Sequence, residues 1–182
     1  MADVNVSTAS SRLPGPEPDR PGAGGPTYDL IELLFFAYRD FIGDADEVLA
    51  KIGFGRAHHR VLHFVNRHPG MRVADLLDVL KITKQSLGRV LRELVEDGYV
   101  VQKAGPADRR QRLLYLTSKG ETLARDLAML QTRRLTRALL ECGAGARTTV
   151  RRFLVAMIDT EAREEVERLI ARADRAVRER TR

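Results

Sequence analysis

The most constraining feature of the sequence is a pair of short helical segments joined by a tight turn. Residues 73–80 show the apolar spacing of a short amphipathic helix. A second helix is predicted from Thr83, a good N-cap residue, to the stop at Asp97-Gly98. The inward-facing side chains predicted for this second helix are Leu87, Val90, Leu91, Leu94 and Val95. Two short helices with this spacing predict a helix-turn-helix.

A β-hairpin is predicted directly after the second helix. Residues 99–103 and 113–116 have the composition of two strands, and the polar residues 104–112 lie between them as a loop. A hairpin in this position is called a wing. The segment from 56 to 117 is therefore predicted to form a winged helix-turn-helix.

Long helices are predicted on both sides of the winged helix. A first helix starts at Tyr28, and another covers residues 56–67, where His68-Pro69-Gly70 ends it. Thr117 or Ser118 is expected to cap a helix that runs to about Glu141. Ser118 and Glu121 have the spacing of a capping box.

One last helix is expected after the break at residues 143–145, with apolar side chains at spacings of three and four from Val150 to Ala173. A small winged domain cannot cover apolar faces of this length, so a dimer is favoured over one monomeric core.

The predicted fold class is mainly α with a small β-hairpin wing, in which long dimerisation helices flank a winged helix-turn-helix. The division along the chain is a Pro/Gly-rich disordered tail, an N-terminal dimerisation helix, the DNA-binding domain and C-terminal dimerisation helices, at residues 1–27, 28–55, 56–117 and 118–182. The tail is predicted because it holds five of the seven prolines, which lack a backbone donor.

The positive charge is concentrated in the predicted winged helix. The chain carries a formal net charge of +6, yet residues 28–55 contain two basic and six acidic side chains, whereas residues 56–117 contain twelve basic and six acidic ones. A basic surface of this kind indicates a polyanionic partner such as double-stranded DNA.

Several other classes of protein are not supported. The apolar run at 33–38 is far shorter than a membrane span, and no secretory signal is seen, so a cytoplasmic protein is expected. No glycine-rich phosphate loop or nucleophile motif indicates an enzyme, and no cofactor is expected. His59 and His63 have a metal-ligand spacing, but Arg60 replaces the Glu of a zinc protease and no third ligand is at hand, so no metal site is predicted. Cys142 is a lone cysteine, and its response to oxidants stays open.

The sequence resembles the MarR family of bacterial regulators from Tyr28 to Ala173. The wing carries the most specific part of the resemblance, because Asp108, Arg110 and the run Leu116-Thr117-Ser118-Lys119-Gly120 are similar to the family's Asp-x-Arg and Leu-Thr-x-x-Gly. Residues 82–87 and 96–100 are similar to the family's recognition helix. Arg72 departs from the Ser or Thr that often caps the preceding helix in this family.

The resemblance implies that the helix from Thr83 reads the major groove and that the wing reaches the minor groove. The N-terminal end of such a helix meets base edges, and Gly88 allows a close approach of the backbone. For the wing, the resemblance implies that Arg110 enters the minor groove while Asp108 holds its guanidinium. The expected DNA-binding residues are Thr83, Lys84, Gln85, Ser86 and Arg89 on the helix, Lys103, Asp108, Arg109, Arg110 and Arg112 on the wing, and Arg72 and Arg92 as further phosphate contacts.

A ligand cleft between the outer helices and the winged helix is also implied by the resemblance, since family members commonly bind small aromatic or phenolic molecules there. The side chains offered for this cleft supply ring surface and anion-binding donors, and they are Tyr38, Arg39, Arg56, His58, His59 and His63. A partly buried structural role explains His58 equally well, because it precedes apolar residues at helical spacing.

The predicted function is a sequence-specific transcription regulator, expected to be a repressor, that binds an inverted repeat as a homodimer and is released by a small aromatic ligand. The alternative is a winged-helix module that docks onto proteins and does not bind DNA. The operator sequence, the effector and the regulated pathway are not determined by these residues.

Overall fold

The computed structural model describes residues 25–180, which contain seven helices and three short strands. The helices are α1 Tyr28–Ala50, α2 Arg56–Arg67, α3 Val73–Leu80, α4 Lys84–Glu96, α5 Ser118–Glu141, α6 Ala146–Met157 and α7 Thr160–Arg180. The strands are β1 Met71–Arg72, β2 Val100–Ala104 and β3 Arg112–Leu116. The prediction of a mainly helical winged helix-turn-helix is confirmed. Most of the predicted tail, residues 1–24, lies outside the described residues.

The strands form one antiparallel sheet in the order β1-β3-β2. The predicted hairpin pairs Val100 with Leu116 and Ala104 with Arg112. Its first strand begins at Val100, one residue later than predicted. Strand β1 was not predicted. It has only two residues, and it pairs Met71 with Leu114 after a turn in which the N–H of Gly70 donates to the carbonyl of Leu114 at 2.8 Å. Two residues are too few to show an alternating pattern.

The prediction of a single last helix is wrong, because α6 and α7 are separate. Ile158 has an extended conformation between them. The guanidinium of Arg163 donates to the carbonyls of Ala156 and Ile158, at 2.6 and 2.8 Å, and so satisfies the end of α6. The helical apolar spacing continues on both sides of this break, which is why periodicity alone did not reveal it.

The core lies in a compact unit made of α2, α3, α4, the sheet and the first half of α5, which we call the winged-helix lobe. Its largest fully buried side chains include Leu62, Leu76, Leu87, Leu114 and Leu127. The second half of α1 joins this core through Ala45 and Leu49, both fully buried.

The core-facing side of α4 was predicted with one error. Leu87, Val90, Leu91 and Leu94 are buried as expected, whereas Val95 is 38% exposed. Val95 lies on the side of α4 that faces the wing, where it lines an open groove.

A second group of apolar side chains is not covered by any described residue. Along the first half of α1, Leu33 and Phe35 are 62% and 69% exposed, and at the end of α5 Leu140 is 76% exposed. Helix α6 has no buried residue, and its Phe153 is 54% exposed. We call these helix faces the outer apolar surface.

Candidate nucleic-acid interface

The turn between α3 and α4 fixes where α4 begins. Helix α3 is followed by its C-cap residue Lys81, which adopts a left-handed conformation with φ of 51°. The guanidinium of Arg60 donates to the carbonyl of Leu80 at 2.8 Å, which satisfies one of the last acceptors of α3. The hydroxyl of Thr83 accepts from the backbone N–H of Ser86 at 3.2 Å, so the predicted N-cap is confirmed.

The first turns of α4 present their polar side chains to solvent. Lys84, Gln85 and Arg89 are exposed, and none of them makes a side-chain hydrogen bond or ion pair within residues 25–180. The hydroxyl of Ser86 accepts from that of Thr83 at 2.9 Å. Side chains that have no internal partner are free to pair with an external one.

The tip of the wing is a built turn. The N–H of Gly105 donates to the carbonyl of Gln111 at 3.0 Å, and the N–H of Gln111 donates to the carbonyl of Asp108 at 3.0 Å. A side chain at position 105 would approach the carbonyl of Asp108 to 2.8 Å, so this turn requires glycine. Backbone contacts therefore hold residues 105–111 in a fixed projection.

Asp108 does not play the role that the resemblance implied. Its carboxylate accepts from the backbone N–H of Arg110 at 2.9 Å and does not contact the guanidinium. Asp108 therefore shapes the turn, and the Arg110 side chain is unpaired within the described part of the chain. Arg109 and Arg112 are likewise exposed and unpaired there, whereas the ammonium of Lys103 lies 4.9 Å from the ring centre of Tyr115.

The base of the wing is tied to the end of α4. The hydroxyl of Thr117 donates to the carbonyl of Gly98 at 2.7 Å and accepts from the N–H of Gly120 at 3.1 Å. A side chain at position 120 would clash with the backbone carbonyl of Tyr99. The Leu-Thr-x-x-Gly pattern thus describes a cap and a close backbone approach that set the direction of the wing.

Thr117 is the N-cap of α5, and Ser118 is already inside the helix. The predicted capping box between Ser118 and Glu121 is therefore wrong. The sequence offered two neighbouring hydroxyl residues, and the contact of Thr117 with Gly98 decided between them.

An open groove of about 490 Å³ separates α4 from the wing. Arg92 lies on its helix side and Arg112 on its strand side, and Glu96 and Gln102 also line it. A side chain built at Gly88 would meet nothing within 4 Å, so the floor of the groove is accessible. The groove places two arginines on opposite walls, between the two projections.

A family sequence model and a similar protein of known name both point to one family. A sequence model described as "MarR family" matches residues 52–111. The HTH-type transcriptional regulator PetP of Rhodobacter capsulatus is 46% identical over 139 residues, which cover 76% of this chain and 84% of that protein. The chain belongs to the MarR family. It is accordingly a transcriptional regulator, and neither of these names is that of an enzyme.

Solved MarR-family structures share the fold of this regulator. A crystal structure of MarR matches with a TM-score of 0.60 at 21% identity and covers 82% of this chain and 99% of that one. The S. aureus MepR–DNA complex matches with a TM-score of 0.59 at 15% identity and covers 74% and 97%. A mutant MarR from E. coli complexed with operator DNA gives 0.57 at 21% identity, covering 74% and 100%.

Within the described residues, no helix has the length and apolarity needed to cross a membrane.

Arg72 of this MarR-family chain differs from the other candidate phosphate contacts, because it already has a partner. Its guanidinium donates to both carboxylate oxygens of Asp75, at 2.9 and 3.0 Å from Nε. This contact lowers the pKa of Asp75 and raises that of Arg72. The backbone N–H of Arg72 also donates to Asp75 at 3.3 Å, so Arg72 starts α3 in place of a Ser or Thr cap.

None of the six residues predicted for a ligand cleft lines the groove beside α4 or the smaller cavity between α1 and α5. Arg39 pairs with its neighbour Asp40, at 2.8 Å, and Arg56 pairs with Asp46, at 2.7 Å. His58 faces α4, whereas Tyr38 is 57% exposed on α1. Tyr38 and His59 nonetheless lie close enough to the Arg56–Asp46 pair to interact with it electrostatically, so the structure brings part of this set together and leaves His58 apart.

His59 and His63 lie one turn apart on α2. Desolvation lowers the pKa of His59. Desolvation is the main cause that lowers the pKa of His63, and the charge of Arg67 adds to it. Both shifts favour the neutral form of the ring, which offers no positive charge to an anion. No group of three or more metal-binding side chains occurs within the described residues.

A smaller cavity that the sequence did not indicate lies between α1 and α5. It measures about 250 Å³ and is lined by Asp44, Leu130, Arg133, Arg134 and Arg137. Asp44 accepts two hydrogen bonds of 3.0 Å from Arg134, which joins the two helices. No single segment contains this set, so only the packing of the helices brings it together.

Proposed function

We propose that this regulator binds duplex DNA with α4 in the major groove and the wing in the adjacent minor groove. The proposal rests on two neighbouring projections, the first turns of α4 and the wing. Both hold exposed side chains that lack partners within the described residues, and these are Lys84, Gln85, Arg89, Arg109, Arg110 and Arg112. The MepR and MarR structures in complex with DNA, which have the same fold, support this reading.

Each projection suits a different part of the duplex. Gln85 can pair with adenine, and Lys84 and Arg89 with guanine acceptors, in the major groove. Arg110 at the wing tip suits the negative potential of a narrow minor groove. We expect the DNA phosphates to be contacted by Arg92 and by the remaining polar and basic side chains of the two projections, namely Thr83, Ser86, Lys103, Arg109 and Arg112.

The outer apolar surface supports a homodimer. Large exposed apolar patches are uncommon on monomeric proteins and mark interaction sites. A second copy, related by two-fold symmetry, would cover Phe35 of α1 and Phe153 of α6 with the same apolar surface of the other subunit. The pair would present two copies of α4, and we therefore expect an inverted-repeat operator with half-sites about one helical turn apart.

We further propose that the dimer acts in the cytoplasm as a repressor that a small aromatic or phenolic ligand releases. A dimer bound across a promoter excludes polymerase, and a ligand seated between the outer helices and the lobe would change the separation of the two α4 helices. Because none of the candidate cleft residues lines either cavity described above, we place this ligand where the second subunit completes the surface. Salicylate and benzoate serve as probes, and no change in operator affinity at millimolar concentrations would contradict ligand release.

The DNA-binding proposal is tested by selecting bound fragments from random duplex DNA at near-physiological salt. We expect enrichment of an inverted repeat, with an affinity that falls steeply as salt rises because phosphate contacts release counterions. Absence of any enriched motif would contradict the proposal and favour the protein-docking alternative.

A further inference from the structure

His58 has surroundings that differ from those of the ligand cleft in which the sequence placed it. It is 8% exposed, and its ring stacks on Phe54 with centroids 4.4 Å apart and planes 3° from parallel. Phe54 in turn makes an edge-to-face contact with Tyr99, the third residue beyond the end of α4. His58 is thus packed within the lobe, beside the helix that we propose reads DNA.

Both nitrogens of the His58 ring have defined partners. The backbone N–H of Gly55 donates to Nδ1 at 3.1 Å, so Nδ1 must carry a lone pair. The hydrogen of the neutral ring is then on Nε2, which lies 2.6 Å from Oε2 of Glu93. These two contacts select a single tautomer, which accepts from the start of α2 and donates to α4.

Glu93 is well placed to control the direction of the reading side chains. It follows Arg89 by four residues and Gln85 by eight, so all three lie on roughly the same side of α4. A hydrogen bond that holds Glu93 therefore limits rotation of α4 about its own axis.

The other end of the contact leads to α1. The N–H of Phe54 donates to the carbonyl of Leu49 at 2.9 Å, and Arg56 pairs with Asp46. Gly55, which holds the His58 ring, lies between these two anchors. The contact therefore connects the end of α1 to the last turn of α4.

We propose that the His58–Glu93 hydrogen bond is a positioning contact that sets the rotation of α4 and thereby aims Gln85 and Arg89 at base edges. The inference rests on the proposed DNA-binding function. His58 itself touches no DNA and acts only through Glu93. Loss of the contact should reduce discrimination between operator and random DNA, because base contacts require exact aim and phosphate contacts do not.

Matched variants separate the two halves of the contact. His58→Gln keeps an amide donor that reaches toward Glu93, whereas His58→Asn can place its carbonyl oxygen near the N–H of Gly55 but is too short for its amide donor to reach Glu93. Glu93→Gln keeps the acceptor for Nε2, and Glu93→Ala removes it. Asp126→Ala is the charge control, because Asp126 is exposed on α5, does not line the groove, and makes no side-chain hydrogen bond or ion pair within residues 25–180.

The measurement is the affinity of each full-length variant for the selected operator and for a random duplex, together with its urea unfolding midpoint. We expect Glu93→Ala and His58→Asn to lower operator affinity about tenfold relative to Asp126→Ala, since a hydrogen bond to a charged group is lost. Affinity for the random duplex should match that of the control, up to the effect of charge. Glu93→Gln and His58→Gln should recover most of the loss, and the double variant His58→Asn/Glu93→Ala should lose no more than either single one.

Two results would overturn the inference. One is an equal loss for operator and random DNA that follows the unfolding midpoint, which would make the contact merely stabilising. The other is an undiminished operator preference in Glu93→Ala. Failure of the wild-type protein to prefer any duplex would instead refute the DNA-binding proposal, and so the two failures are distinct.

Discussion

The winged-helix lobe and the outer helices solve the problem of burial in different ways. In the lobe, Leu62, Leu94 and Leu114 are fully buried within one chain. On the outer apolar surface, Phe35 and Phe153 remain more than half exposed. The lobe therefore contains its own core, whereas the outer helices present a core that is only half complete.

This difference suggests a division of roles. The lobe holds its projections in fixed directions through internal contacts such as those of Thr117 and Gly105. The pairing of the outer helices would decide how two lobes are spaced. Variants in the lobe should therefore change stability or contact, and variants in the outer helices should change assembly.

The largest effect is expected for Gly120→Ala in the lobe. The added methyl group would clash with the carbonyl of Tyr99, which belongs to the backbone and cannot move independently. We expect a loss of about 3 kcal/mol in the free energy of unfolding, measured by urea titration. Gly88→Ala is the control, because open space surrounds that helical position, and alanine there should stabilise by about 0.5–1 kcal/mol. Equal effects at the two positions would contradict the close approach.

Phe35→Asp tests the outer helices. A carboxylate in the middle of the proposed interface should weaken dimerisation about 100-fold or more, or about 2.7 kcal/mol, because an aromatic anchor is replaced by a charge. Sedimentation velocity should then show monomers at micromolar concentration, with unchanged helix content by circular dichroism. A wild-type protein that is already monomeric at that concentration would refute the proposed homodimer.

Arg110→Ala tests the wing. Removing the guanidinium should weaken operator binding by about tenfold, while the turn remains because the contact of Asp108 is with the backbone of residue 110. Arg178→Ala on α7 removes the same charge at an exposed position away from the wing, and fluorescence anisotropy should show a much smaller change for that variant. Unchanged affinity in Arg110→Ala would rule out its insertion in the minor groove.

The smallest effect is expected at Lys81, whose left-handed conformation is strained for a residue with a side chain. Lys81→Gly should stabilise the lobe by about 0.5–1 kcal/mol in urea unfolding. Lys81→Ala removes the same charge but keeps the strain, so it should give no gain. A gain of equal size in both variants would assign the effect to charge.

Local sequence patterns predicted most of the lobe. The apolar spacing and the stop at Pro69-Gly70 placed α2 and α3 correctly, and Thr83 marked the start of α4 because capping depends on residues three apart. The exposure of Lys84, Gln85 and Arg89 followed from the same periodicity.

Features that depend on distant contacts were not predictable in this way. Strand β1 exists only because Met71 meets Leu114, forty-three residues away. His58 looked suitable for a ligand because nothing local shows that Gly55 and Glu93 occupy its two nitrogens. The pairing of Asp108 with a backbone N–H, instead of a guanidinium, depends on how the wing turn closes.

Two winged-helix lobes, one from each chain of a homodimer, are proposed to bind one operator together. The most direct test of this proposal compares binding of the selected inverted repeat with binding of an equally long duplex that contains one half-site. We predict two chains on each repeat and at least about a 100-fold preference for the repeat over the half-site, since two linked lobes engage together. Equal affinity for the two duplexes, with one chain bound to each, would contradict it.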